Sequence, residues 1–187
     1  MKLIKEKLLE ISTNFINLSN ECSQEILEAA NMIIDSLDNN GKVIFCGNGG
    51  SAADAQHLSA EFVGRFLKNR QPLASLSLTT DTSAITAIGN DFSFDEIFSR
   101  QLEAIGNKGD ILYAISTSGK SKNILKALQV AKKLGIKTIG ITSVAGKDLN
   151  KFCDITIEVP SRRTDRIQEM HIATGHIICE IVENKLC

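Results

Sequence analysis

Residues 111–121 read Ile111-Leu112-Tyr113-Ala114-Ile115-Ser116-Thr117-Ser118-Gly119-Lys120-Ser121. A short apolar run stops in a cluster of hydroxyls around a glycine, and a helical pattern follows from about Ser121. The sequence predicts a strand, a small-residue loop and a helix N-terminus. That arrangement favours anions, because free backbone N–H groups and the helix dipole face the ligand. The ending Gly119-Lys120-Ser121 imitates a nucleotide P-loop. The P-loop needs a glycine five residues before Gly119, and that position is Ala114, inside the apolar run. The loop therefore points to phosphate and not to ATP.

The same strand–loop–helix reading repeats on either side. Lys42–Cys46 is a short apolar run that ends in Gly47-Asn48-Gly49-Gly50-Ser51, with a helical pattern over Ala52–Phe66. Leu73–Leu78, Lys137–Thr142 and Ile155–Val159 are further strand candidates, giving five with Asp110–Ile115. Helical spacing appears over Asp81–Ile88, Phe94–Ile105 (after a break at Gly89-Asn90-Asp91), Ser121–Leu134, a short stretch near Lys147–Phe152, and Thr164–Lys185. Strands alternating with helices and lacking tight hairpin signals define an α/β chain with a doubly wound parallel five-stranded sheet. Ligands of such sheets sit beyond the carboxyl ends of the strands, where both glycine- and serine-rich loops fall.

Residues 3–18 and 22–37 carry apolar residues at three- and four-residue steps and lie outside this repeat. They predict two extra N-terminal helices over 1–38, ahead of an α/β core over 39–187. Their stripes need a partner, which points to oligomer formation.

The chain of 187 residues fits one domain, and its net charge of −1 leaves no basic face for nucleic acid. Its apolar runs are too short to span a membrane. Five cysteines without C-x-x-C spacing read as free thiols of a cytoplasmic protein. The loop Gly47–Ala52 partly matches a dinucleotide fingerprint. However, the second strand ends without the acidic residue that holds a ribose, and the first one after it is Asp81. No nucleotide cofactor is expected. The glycines alone would also serve a tight turn, with Asn48 and Ser51 adding groups suited to sugar hydroxyls.

Three histidines are present: His57, His171 and His176. His57 and Glu61 are four apart and share one helix face. On the last helix, Asp165, Gln168 and His176 fall within an arc of about 80°, whereas His171 points about 140° away from His176. A carboxylate, two imidazoles and an amide oxygen suit either zinc binding or proton transfer. An isolated H-x-x-x-E pair, or His176 alone in its apolar setting, reads equally as structural. Gly175 costs its helix roughly 1 kcal/mol, which points to a close approach of another backbone or a ligand there.

Taken together, Cys46-Gly-Asn-Gly-Gly-Ser51, His57-x-x-x-Glu61, Gly64-Arg65, Gly89-Asn-Asp91, Ser116-Thr-Ser-Gly-x-Ser121 and Arg166-Ile-Gln-Glu-Met-His171 with His176 downstream resemble the sugar isomerase (SIS) domain family. Within it the match is to the phosphoheptose isomerases, over nearly the whole chain. The resemblance implies a three-layer, flavodoxin-like α/β domain assembled as a homotetramer with active sites between subunits. It implies an aldose–ketose isomerase acting on sedoheptulose 7-phosphate through an enediol, for nucleotide-activated heptose of lipopolysaccharide core or another surface glycan. It also implies roles. Ser116, Thr117, Ser118 and Ser121 would bind phosphate. Asn48, Gly49, Gly50, Ser51, Asn90 and Asp91 would contact substrate, with Arg65 and Asp165 near them. His57, Glu61, Gln168 and His176 would hold zinc. Glu61 would act as carbon base, with His176 its acid–base partner; a Glu61 fully bound to metal is a poorer base, so the two roles compete.

Three other functions are compatible with this fold. One is a non-catalytic tetrameric relative that binds a replication initiator; it lacks the counterparts of Glu61 and His176. Another is an isomerase of a different sugar phosphate such as arabinose 5-phosphate, which usually carries further domains. The third is a sugar-phosphate sensor, which would not need the Glu61/His176 pair.

Overall fold

The computed structural model describes all residues, 1–187. Five strands, β1 (Val43–Gly47), β2 (Ser75–Ser77), β3 (Ile111–Ile115), β4 (Lys137–Ser143) and β5 (Ile155–Val159), form one sheet in the order β2-β1-β3-β4-β5. Every neighbouring pair is parallel. The helices are α1 (Lys2–Glu21), α2 (Ser23–Asp38), α3 (Gly50–Val63), α4 (Thr82–Asp91), α5 (Ser99–Ile105), α6 (Lys122–Leu134) and α7 (Thr164–Leu186).

Strand periodicity builds the three layers. Val43, Phe45, Ile111, Tyr113 and Ile115 face one cluster shared with α2, α3 and α7. Ile44, Cys46, Leu112 and Ala114 face the other, shared with α5 and α6. Both faces of β1 and β3 are fully buried, which explains why they read as continuous apolar runs rather than alternating ones. The expected α/β architecture and the two extra N-terminal helices are present. No helix is long and apolar enough to cross a membrane, and all five cysteines are free.

Apart from α3, three elements differ from expectation. β2 shrinks from 73–78 to Ser75–Ser77 because it is an edge strand paired only with β1. The expected helix over Phe94–Ile105 divides into a 3₁₀ turn at Phe94–Glu96 and α5, where the Ser99 hydroxyl turns back onto the Glu96 carbonyl at 3.1 Å. Gly89-Asn90-Asp91, expected as a break, completes the last turn of α4.

His171, excluded from the site on helical geometry, is buried in α7 and its Nε2 donates to the Thr142 carbonyl at 3.1 Å. Burial pulls its pKa down to about 4, against the smaller opposing effect of that hydrogen bond. The folded value lies below the unfolded one near 6.5, so this contribution to stability is complete above pH 6.5. It is lost as the pH falls toward 4, and the loss there reaches about 3 kcal/mol. Urea unfolding at a series of pH values is expected to show this acid slope, and His171→Gln is expected to flatten it.

Candidate active site

Gly47 and Ile115 are register partners at the carboxyl ends of β1 and β3. The loops that follow therefore leave the sheet side by side, at the point where strand order reverses. Asn48 and Asn123 tie the two loops together by exchanging side-chain amide hydrogen bonds of 2.9 and 2.8 Å. Sequence reasoning placed Asn48 on the substrate. In the fold its amide is engaged with Asn123, a residue that no motif singled out.

The hydroxyl loop is braced from behind. Gly119 takes φ +64°, and a Cβ there would run into the Gly146 carbonyl oxygen, so the β4–β5 connection packs directly beneath it. Ser143 Oγ donates to the Thr117 carbonyl at 3.0 Å, and the Lys120 N–H is held by Ser118 Oγ at 3.2 Å. Ser121 starts α6 without spending its hydroxyl on a cap, and lies 3.4 Å from Ser116 Oγ. The loop thus sets hydroxyls beside the opening turn of a helix. Lys120 is exposed.

The second group of residues lies along α3 and α7, which pack closely because α7 carries Gly175. A Cβ there would fall 2.5 Å from the Leu58 methyl carbons. That approach brings His57, Glu61 and His176 together. One ligand-type atom from each lies within 4.8 Å of the others. His57 Nε2 is 3.1 Å from Glu61 Oε1, and the two imidazoles meet edge to face at 4.9 Å. His176 Nε2 is buried and has no hydrogen-bond partner. Burial holds the His176 pKa below the ordinary histidine value; His57 adds to this and Glu61 opposes it. A neutral imidazole with a free nitrogen, beside a carboxylate and a second imidazole, is a donor set that fits a divalent cation such as zinc.

The other expected site residues are distributed around these two groups. Ser51 is buried at the start of α3. The Gln168 amide lies against Gly50, where an added Cβ would sit 2.5 Å from its Nε2. Gln168 is two turns, about 12 Å of helix, before His176. Asp165 pairs with Arg163 at 2.6 Å at the exposed start of α7. Arg65 is exposed just beyond α3. Asn90 donates to Asp91 at 2.8 Å on the surface of α4, and neither bonds to either loop.

Alpha-3 ends at Val63 rather than at the expected Phe66. Gly64 caps it, and a residue that sequence reasoning missed keeps the helix from resuming. The Glu183 carboxylate accepts the backbone N–H groups of Phe66, Leu67 and Lys68 at 2.8–3.1 Å, replacing the helical carbonyls they would otherwise bond. Its signal was present: Glu183 is seven residues after His176, so a carboxylate occupies the same face of α7 as the histidine, on the helix's buried side.

A doubly wound sheet with a braced hydroxyl loop at its switch point, and a His/Glu/His group on the flanking helices, defines an α/β domain of the sugar-phosphate-binding kind. The family model described as SIS domain matches residues 9–143. The chain is 54% identical over 173 residues to the phosphoheptose isomerase of Rhodospirillum rubrum, covering 92% of each. The solved structure of phosphoheptose isomerase from Neisseria gonorrhoeae superposes with a TM-score of 0.92 at 39% identity, covering 98% of both chains. That of a phosphoheptose isomerase from Francisella tularensis gives 0.94 at 37% identity, covering 98% of this chain and 97% of that one. The chain belongs to the SIS domain family and, within it, to the phosphoheptose isomerases.

Proposed function

We propose that the protein converts sedoheptulose 7-phosphate to D-glycero-D-manno-heptose 7-phosphate, an aldose–ketose isomerisation through an enediol. This is the entry to nucleotide-activated heptose for lipopolysaccharide core or another surface glycan. The observation that carries the reading is the meeting of Glu61 with a neutral, unpartnered His176, in a chain of this family. A protein that only binds an initiator or senses a sugar has no use for that pair.

The chemistry follows from the side chains. The Glu61 carboxylate takes a proton from C1 of the open-chain ketose while His176 supplies one to O2. The resulting enediol receives a proton from Glu61 at C2. His176 removes the proton from O1, and C1 becomes the aldehyde. Ser116, Thr117, Ser118, Ser121 and the first turn of α6 hold the distant phosphate, and that binding energy orients the reacting end. Asn48, Gly49, Gly50 and Ser51 line the approach, with Arg65, Asn90, Asp91 and Asp165 as further substrate contacts.

His57, Glu61 and His176, with Gln168 of a second copy of the chain as a fourth ligand, would hold one zinc ion per subunit. When bound, zinc polarises the substrate carbonyl and favours the charge that develops on its oxygen.

The active site is completed between subunits of a homotetramer. Alpha-3 runs away from the loops, so His57 and Glu61 lie about 10 and 16 Å along it from Gly50. Likewise Gln168 stays beside Gly50 within its own chain. An apolar groove of about 290 Å³ between α1, α2 and α7, lined by Phe15, Leu18, Ile26, Leu27, Ile177 and Ile181, supports assembly through these helices. The free thiols fit the cytoplasm.

The test is an NMR assay with sedoheptulose 7-phosphate before and after treatment with a chelator. The expected result is a new aldose anomeric signal that weakens on chelation and returns with added zinc. Absence of the aldose at any zinc level would overturn the assignment.

A further inference from the structure

The deepest ion pair in the molecule joins α7 to the segment that follows α3. Glu183 and Arg70 have side chains only 2% and 4% exposed, and Arg70 Nε donates to Glu183 Oε1 at 2.8 Å. Burying two charges is costly, and an apolar replacement of similar volume often leaves a protein as stable. What this pair supplies is geometry, and the groups it touches identify which geometry.

Arg70 also donates to the last carbonyls of α3: Nη2 to the Glu61 carbonyl at 2.7 Å and Nη1 to that of Phe62 at 2.9 Å. A cation at a helix C-terminus meets the orphan carbonyls there. Glu183 gathers the N–H groups of Phe66, Leu67 and Lys68 around its two oxygens. The half-buried ring of Phe66 then stacks on His176, with centroids 5.6 Å apart and planes 26° apart. His57 closes on the imidazole edge-on at 4.9 Å. The His176 ring is therefore held between Phe66 and His57, and both Phe66 and the backbone of Glu61 hang from one buried carboxylate–guanidinium pair.

We propose that the Glu183–Arg70 pair is a positioning device for the reaction, acting on His176 through the stacked Phe66 ring and on Glu61 through its backbone carbonyl. The role assigned to Glu183, Arg70 and Phe66 is to position these groups, not to contact substrate. The inference rests on the proposed role of His176 and extends it to the residues that aim its ring. Displacement of a reacting group by about 1 Å can cost on the order of a hundredfold in rate.

The test compares kcat, KM and melting temperature for Phe66→Leu, Phe66→Tyr and Glu183→Gln, with His176→Asn as reference. Phe66→Leu keeps the backbone N–H and an apolar side chain but removes the ring. It is expected to lower kcat about tenfold with KM and melting temperature near wild type. Phe66→Tyr restores the ring and is expected to restore kcat. Glu183→Gln releases both arms and is expected to lower kcat further. If that variant fails to fold, the two Phe66 variants decide the matter. A wild-type kcat in Phe66→Leu, alongside an inactive His176→Asn, would overturn the positioning role alone. A fully active His176→Asn would overturn the reading beneath it, and this inference with it.

Discussion

Replacing Glu61 by Gln is expected to reduce kcat by about a thousandfold or more while sugar-phosphate binding stays within about threefold of wild type. The substitution keeps size and polarity, and the amide oxygen can still accept from His57 Nε2, 3.1 Å from the carboxylate in the native chain. It removes the only carboxylate of the His57/Glu61/His176 group, and with it the proposed carbon base. The hydroxyl loop proposed to hold the phosphate is a different segment and is untouched. Loss of turnover with retained binding therefore separates a role in proton transfer from one in binding. Steady-state kinetics with isothermal titration of the ketose phosphate makes that separation. Equal loss of binding and turnover would instead make Glu61 a binding residue.

His176→Asn is expected to give the second-largest effect, a fall in kcat of about 10² to 10⁴. The native imidazole is neutral and its buried Nε2 is unpartnered, so it is free to exchange a proton with the substrate oxygens. Asparagine fills part of the volume and remains polar, but carries no group that titrates near neutrality. Bound zinc, measured by elemental analysis in parallel, distinguishes the two uses of this side chain. A variant that keeps its metal and loses turnover has lost a proton-transfer group. One that loses both in proportion has lost a ligand.

Much of this architecture was legible in the residues because two periodicities dominate them. The buried strands β1 and β3 read as apolar runs, the glycine- and serine-rich loops mark their carboxyl ends, and α2 and α6 carry clear stripes. The four-residue spacing of His57 and Glu61 pointed to a shared face, and the cost of Gly175 to a close approach of a backbone or a ligand; what packs there is the Leu58 side chain. What escaped were the long-range partners. Asn123 shares no motif with Asn48, 75 residues away, although the two lock together. The end of α3 carries a local signal, Gly64 at its C-cap, but the segment beyond it is held by Glu183, 117 residues after Phe66, and nothing local encodes that partner. Helical arc alone grouped Gln168 with His176, but an arc measures direction and ignores rise. Within one chain, two turns of α7 put Gln168 beside Gly50.

The most direct measurement of the account is solvent-deuterium exchange. The protein and its Glu61→Gln variant are incubated with sedoheptulose 7-phosphate in D₂O and followed by NMR at C1 of the ketose and C2 of the aldose. Transfer through an enediol with Glu61 as base predicts deuterium at both carbons with the native protein and none above background with the variant. Exchange by the Glu61→Gln variant at the native rate, or aldose formed by the native protein with no deuterium at C2, would contradict it.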